Sequence, residues 1–462
     1  MTTWPPRPGE LRRPAYRSLA ERLTRAIEAG ELEPGYQLPP HRILADQLGL
    51  SVQTVSRAYD ELTRRGLIGG EVGRGTFVRA TNGPHNTPFL PEKQGNALID
   101  CSLLKPVVDS IHRDAMRDVL ASLSRDLPES TFSSFRPSAA LDKYRQPVCA
   151  WLSRCDLETD PERIVLTNGS TAAMTVALMT AINPGELVLT ENIGHHTLKA
   201  LTGYLGMRLK GLSQDDEGIL PDDLARTCDR HPARALFVMP SGLSPTAAMM
   251  SSERRHDLVA LARKHDLLII ESDAWGPLHP GRPAPIGAIA PERTLYFTGF
   301  SKCVMPGLRL GCLVMPERLV TAAANRHLVT QWMATPLMAE IAGRWLADST
   351  IESLVRWQIG ALGERNKLAA RILKGLPFRG TTTGMHVWLP LPAGWTETGF
   401  VAHARLHGLA IAPGSAFMLD HADMNQGVRI CLGPPDREAL ARGLDIIARL
   451  ARSVPEPALL TI

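Results

Sequence analysis

YFTGFSKCVMPGLRLGCLV, residues 296–314, is the stretch on which the reading of this chain turns. An apolar, strand-like run (TLYFTG, 294–299) passes into a loop with Gly and Pro that carries Lys302 and, seven residues later, Arg309. A lysine amine is nucleophilic toward an aldehyde only when its pKa is depressed, which a neighbouring cation or a dry pocket achieves. Lys302 has Arg309 close by in sequence and apolar neighbours in Phe300, Val304 and Met305. An isolated lysine is ordinarily a surface residue, so the surroundings must decide.

Outward from this stretch, apolar runs alternate with helical patterns from Ile99 onward: IVLT at 164–167, ELVLT at 186–190, RALFVMP at 234–240 and LLIIESD at 267–273. That alternation predicts an α/β fold, a mainly parallel sheet flanked by helices. Residues 80–98 are rich in Pro, Gly and Asn without a sustained period, and read as a linker. At 462 residues the chain exceeds one ordinary domain.

Residues 11–79 form a smaller part of different character. Tyr16 to Ala29 is amphipathic, with Leu19, Leu23, Ala26 and Ile27 on one face, and Glu33-Pro34-Gly35 makes a turn. Pro39-Pro40 opens a second short helix, HRILADQL, which ends at Gly49. Ser51 suits the N-cap of a third helix, in which Val52, Val55, Tyr59 and Leu62 are expected to face the core. Helix, glycine-containing turn, helix is the helix-turn-helix signature, whose second helix enters the major groove. Gln53 and Thr54 are then placed to read base edges, and Arg57 to reach a base or a phosphate. Arg42, on the preceding helix, joins them as a candidate DNA contact. Two short strand-like pieces around Gly73-Arg74-Gly75 suggest a wing with Arg74 at its tip. Residues 1–80 hold twelve Arg, no Lys and nine acidic residues, a basic bias that fits a DNA-reading head.

LPPHRILADQLGLSVQTVSRAYDELTRRGLIGGEVGRGTFV (38–78) resembles the winged helix-turn-helix head of GntR-type bacterial regulators over nearly its whole length. It departs at Val52, where that family often has Arg. Residues 99–462 resemble the fold-type I aminotransferases, with 296–314 as their Schiff-base motif. The resemblance implies pyridoxal 5′-phosphate bound by Lys302, with Arg309 and Ser301 gripping its phosphate. It implies a large subdomain of roughly 145–345 and a smaller α/β one of roughly 346–462. Asp273, ending IIESD, then pairs with the ring nitrogen, although a strand-end Asp can also cap a helix. TNGSTAAM (167–174) passes from strand to helix and would offer Ser170, Thr171 and backbone N–H groups to the phosphate. In GLSPTA (242–247) Ser244 stands where the family's Asn binds the ring hydroxyl, and in GVRICLG (427–433) Arg429 stands where an Arg clamps the substrate carboxylate. The joint architecture resembles the MocR-type regulators.

Several positions differ from the family pattern. Gly299 replaces the usual Ser or Thr, with Thr298 a candidate to compensate; His195 takes the place of the aromatic that stacks on the ring. Trp275 replaces a Tyr, and Phe135 and Ala140 replace the Tyr and Gly of the loop reaching the partner subunit. These swaps remove hydrogen bonds of about 0.5–1.5 kcal/mol each, so cofactor binding is expected and efficient transamination is doubtful. The leading expectation is a cytoplasmic, homodimeric transcription regulator that binds an operator in double-stranded DNA and senses an amine, an amino acid or the cofactor at Lys302. A working aminotransferase and a cofactor-free dimerisation scaffold are the rivals. The seven Cys show no CxxC pair, so no metal site or disulfide framework is expected; Cys303, beside Lys302, is the one to watch. No apolar run approaches the ~18 residues of a membrane span.

Overall fold

The computed structural model describes residues 11, 13–28, 31–32, 35–64, 67–71, 75–78, 98–419 and 427–453. They fall into two compact units, one within 1–93 and one within 94–462.

In the first unit, α1 (Ala15–Glu28) buries Leu19, Leu23, Ala26 and Ile27, the face its periodicity indicates. α2 (His41–Leu48) ends at Gly49, whose φ of 65° is left-handed and whose N–H caps the carbonyls of Ala45 and Asp46. Glycine takes that conformation without a Cβ penalty. α3 (Val52–Arg64) starts where the Ser51 hydroxyl accepts from the Thr54 N–H at 3.1 Å, an N-cap bond. Val55, Ala58, Tyr59 and Leu62 pack against α1 and α2. Val52 does not: it is 45% exposed, contrary to the core position expected of it. It is the first helical residue, and the packed stripe begins nearly a turn later at Val55. β1 (Gln37–Leu38), β2 (Ile68–Glu71) and β3 (Gly75–Val78) form an antiparallel sheet in the order β1-β3-β2, a wing beside the helices. Arg74, Glu33-Pro34, Ala29 and linker positions 80–97 lie outside the described residues.

The second unit opens with β4 (Ile99–Cys101). Its large sheet takes β5 (Ile164–Thr167), β6 (Leu187–Glu191) and β7 (Arg208–Leu212); a small hairpin, β8 (Gln214–Asp215) and β9 (Gly218–Ile219), follows. β10 (Ala233–Val238), β11 (Leu268–Ser272), β12 (Thr294–Gly299) and β13 (Gly311–Val314) complete it in the order β5-β13-β12-β11-β10-β6-β7. All neighbours are parallel except β13, which runs antiparallel to both β5 and β12. Strands such as LIIES (β11) and TLYFTG (β12) are buried throughout, because helices cover both faces of a parallel sheet. A second sheet joins β14 (Arg379–Gly380), β15 (His386–Pro390), β16 (Leu409–Pro413) and β17 (Gly427–Cys431) in the order β14-β15-β17-β16-β4. β4 thus belongs to the smaller sheet although it precedes the larger one in sequence. Among the described residues, no helix is long and apolar enough to cross a membrane.

Candidate functional site

β13 lies between β5 and β12, with Gly311 registered against both Gly299 and Thr167. That pairing brings the turn after β5 against the turn after β12. β12 continues into a short helix, Phe300–Cys303, which carries Lys302; Phe300 packs on Trp151 at 4.7 Å between ring centroids. The loop returns through Arg309, held at φ 43°, and the Phe300 N–H bonds the Leu310 carbonyl at 3.0 Å. Lys302 and Arg309 therefore sit on one loop pinned at both ends. A Cβ on Gly169 (φ 84°) would lie 3.1 Å from Arg309 Nη2, and one on Gly299 would lie 2.7 Å from Ser170 Oγ. The missing side chain at 299 is the space that Ser170 uses. Ser170 opens the helix Ser170–Ala181, with Thr171 exposed next to it. The Ser301 hydroxyl is buried without a hydrogen-bond partner. Thr298 offers no compensation for Gly299, because its hydroxyl donates to the Asp273 carbonyl at 2.6 Å.

Lys302 Nζ donates to the Leu104 carbonyl. Burial pushes its ammonium down to about 8; Arg429 and Arg309 act in the same direction and the Cys431 thiol opposes them. That is the depressed amine that attack on an aldehyde requires. Cys303 is buried and its thiol is pushed up, mainly by burial, so it is an inert thiol rather than a nucleophile.

Asp273, at the end of β11, is 1% exposed. Its Oδ2 accepts from Tyr296 Oη at 2.6 Å and pairs with Arg282 Nη2 at 2.8 Å. Its Oδ1 is buried with no partner. A buried carboxylate oxygen without a donor costs free energy, and a protonated ring nitrogen would supply the donor. Together with the Ser301 hydroxyl and the glycine-lined turns, it shows that the residues present fit pyridoxal phosphate.

The remaining sequence-predicted residues gather nearby but are engaged with one another. Trp275 Nε1 donates to the Ser241 carbonyl at 2.7 Å. Arg429 donates through Nη1 to Ser244 Oγ at 3.0 Å and through Nη2 to the Ser102 carbonyl at 2.7 Å, and lies over the Phe417 ring at 4.5 Å. Its Nε has no partner. His195 stacks on His196, centroids 5.3 Å apart and planes within 7°. Desolvation pushes the His195 imidazole well down, helped by His196 and Lys302, so it is neutral. In the other unit, Arg42, Gln53 and Arg57 are exposed, Arg57 lies over the Tyr16 ring at 5.7 Å, and the Thr54 hydroxyl meets that of Ser51 at 2.8 Å.

The sequence matches the family described as aminotransferase class I and II over residues 109–447. The chain belongs to that family. Its head, residues 15–78, matches the GntR family of bacterial regulatory proteins, and the two in this order are the MocR-type architecture of a transcription regulator. The uncharacterized HTH-type transcriptional regulator YdeF of Bacillus subtilis is 26% identical over 452 residues, covering 97% of this chain and 96% of its own. The HTH-type pyridoxine biosynthesis transcriptional regulator PdxR of Corynebacterium glutamicum is 29% identical over 309 residues, 64% of this chain and 65% of its own. An archaeal alanine:glyoxylate aminotransferase crystal structure superposes with a TM-score of 0.73 at 24% identity, covering 78% of this chain and 92% of its own, a likeness of fold.

Within this aminotransferase-family site, sequence reasoning missed Arg282, Tyr296, His196 and the carbonyls of Ser102 and Leu104. Tyr296 was signalled by strand alternation, since β12 places it beside the end of β11. Arg282 left a fainter sign, a single cation in the otherwise uncharged HPGRPAP segment. The two carbonyls left none.

Proposed function

We propose that this regulator binds pyridoxal 5′-phosphate, that Lys302 supplies the amine holding the cofactor aldehyde, and that an amino-group effector or the cofactor itself is sensed there. The observation that carries this reading is the unpartnered Oδ1 of Asp273 in the same site as an amine of lowered pKa. When bound, the cofactor supplies an aldehyde that captures amines and a ring that withdraws electrons.

The chain's own residues do the rest. Arg309, Ser301, Ser170, Thr171 and the first N–H groups of the helix Ser170–Ala181 hold the phosphate dianion. Asp273 anchors the ring nitrogen, and neutral His195 covers the ring. Ser244 and Arg429 close the far side as a bonded pair; a carboxylate-bearing effector recruits Arg429 through its free Nε. With the cofactor aldehyde held by an effector amine instead, Lys302 would be left to donate to the Leu104 carbonyl. The effector acts only through its different affinity for these two arrangements. The name of the PdxR relative, a pyridoxine biosynthesis regulator, supports the cofactor as one candidate effector. Because Gly299, Ser244, His195 and Trp275 stand where the family carries other residues, efficient transamination is not part of this reading.

In the head, Gln53 and Thr54 read base edges, and Arg42, Arg57 and Arg74 hold the backbone of an operator. The exposed apolar side chains Phe132, Phe135, Val329 and Trp332 support a homodimer, with two heads on two half-sites.

Purified protein given the cofactor should develop visible absorbance that Lys302→Ala lacks; a colourless wild-type protein would overturn the proposal. Following the spectrum and keto-acid formation with added amines separates sensing from turnover. In gel shifts against upstream DNA, Arg57→Ala should weaken binding, and unchanged affinity for every fragment would remove Arg57 from the interface.

A further inference from the structure

Arg282 reaches Asp273 from the loop HPGRPAP (279–285). The two side chains are 1% and 0% exposed, and Arg282 Nη2 stands 2.8 Å from Asp273 Oδ2. The guanidinium is fixed on its other sides, through Nη1 to Ser241 Oγ at 2.9 Å and through Nη2 to the Cys155 carbonyl at 2.5 Å. Gly276 leaves the space for this approach: a Cβ there would lie 2.6 Å from Arg282 Nη2, and closer still to Asp273 Oδ2. The pair is therefore built into the fold.

Its effect on the unpartnered Oδ1 follows from charge. Two donors, Arg282 and Tyr296, already draw on the carboxylate through Oδ2, so less of its negative charge is left for a donor at Oδ1. Arg282 also neutralises Asp273 from within the protein. A protonated ring nitrogen at Oδ1 would be a second cation on one carboxylate, in a dry site where uncompensated charge is costly.

We infer that Arg282 is a positioning residue that weakens the hold of Asp273 on a proton at the cofactor's ring nitrogen, so that the site anchors the cofactor while withholding much of its electron-withdrawing power. The inference rests on the cofactor reading above. It gives a reason for a site that keeps Lys302, Asp273 and Arg309 in a protein expected to sense rather than turn over.

The test is nitrogen NMR on protein loaded with ring-15N pyridoxal phosphate, titrated from about pH 6 to pH 9. In the wild type the resonance should move from the protonated to the unprotonated position within that range. In Arg282→Met the midpoint should rise by about one pH unit or more, and Arg282→Lys, which keeps the charge, should follow the wild type. A coloured wild-type protein whose ring nitrogen stays protonated throughout overturns the inference alone, whether or not Arg282→Met folds. Identical titrations in wild type and Arg282→Met overturn it as well. A protein that takes up no coloured cofactor overturns the function proposed above and this inference with it.

Discussion

At the proposed phosphate end of the site, the Ser301 hydroxyl has no partner, and glycines at 169 and 299 keep side chains from crowding Arg309 and Ser170. At the proposed ring end several side chains are bonded to one another. Trp275 is bonded to Ser241, Arg429 to Ser244 and Ser102, and Asp273 to Arg282 and Tyr296, with Asp273 Oδ1, Arg429 Nε and His386 Nε2 left over. A site that must both hold and transform needs unspent groups at both ends, since only interactions gained in the transition state accelerate chemistry. On the proposed reading, anchoring is kept apart from turnover by pairing side chains with each other, with Lys302 retained.

The largest effect is expected at Lys302, where Lys302→Ala should abolish the visible band altogether while leaving the groups around Arg309 and Ser170 intact. A residual band of wild-type size would mean that another group holds the cofactor. The next largest effect belongs to the phosphate end. Gly169→Val forces a branched side chain into a left-handed conformation and toward Arg309, and should weaken cofactor binding about tenfold to a hundredfold. Titration of the loaded absorbance would read this, and unchanged affinity would show that the phosphate does not sit there.

Between the two ends stands Lys302, whose titration gives a pH test. With its pKa lowered to about 8, the neutral fraction, and so the rate of cofactor uptake, should rise about tenfold from pH 7 to pH 9 and then level off. An unperturbed lysine would give about a hundredfold rise with no plateau. The same shift has a stability consequence. Between about 8 and the ordinary value of 10.5 the unfolded chain binds more protons, so the contribution of Lys302 to stability grows with pH across that window. The smallest effect is expected at the ring end. Ser244→Ala should lower stability by about 1 kcal/mol and change cofactor affinity less than about threefold, because its hydroxyl serves Arg429. A tenfold loss of affinity would mean that Ser244 touches the ring instead.

The framework of the fold was legible in the sequence because buried parallel strands are short apolar runs, and the runs at 267–273 and 294–299 contain β11 and β12. The placement of Lys302, Arg309, Asp273 and Ser170 at strand-to-loop passages was legible for a related reason. What could not be read was which partner each group takes. Thr298 looked available for the phosphate, yet strand alternation turns it to the Asp273 carbonyl. Gly299 looked like a loss, yet Ser170 Oγ fills that volume. Arg282 was hidden because its carboxylate lies nine residues earlier, across a turn that only Gly276 makes passable. Val52 was misplaced because helical spacing gives a face but not the point at which a neighbour begins to cover it.

The position of β4 carries a practical consequence for taking the molecule apart. Ile99–Cys101 lies alongside β16 as the edge strand of the smaller sheet, and the carbonyls that follow, at Ser102 and Leu104, bond Arg429 and Lys302. A chain begun at residue 98 keeps all of this. One begun at residue 106 would strip β16 of its neighbour, expose an apolar edge that invites aggregation, and unclasp both cations. The scissors that free the second unit from its head must therefore close before residue 98.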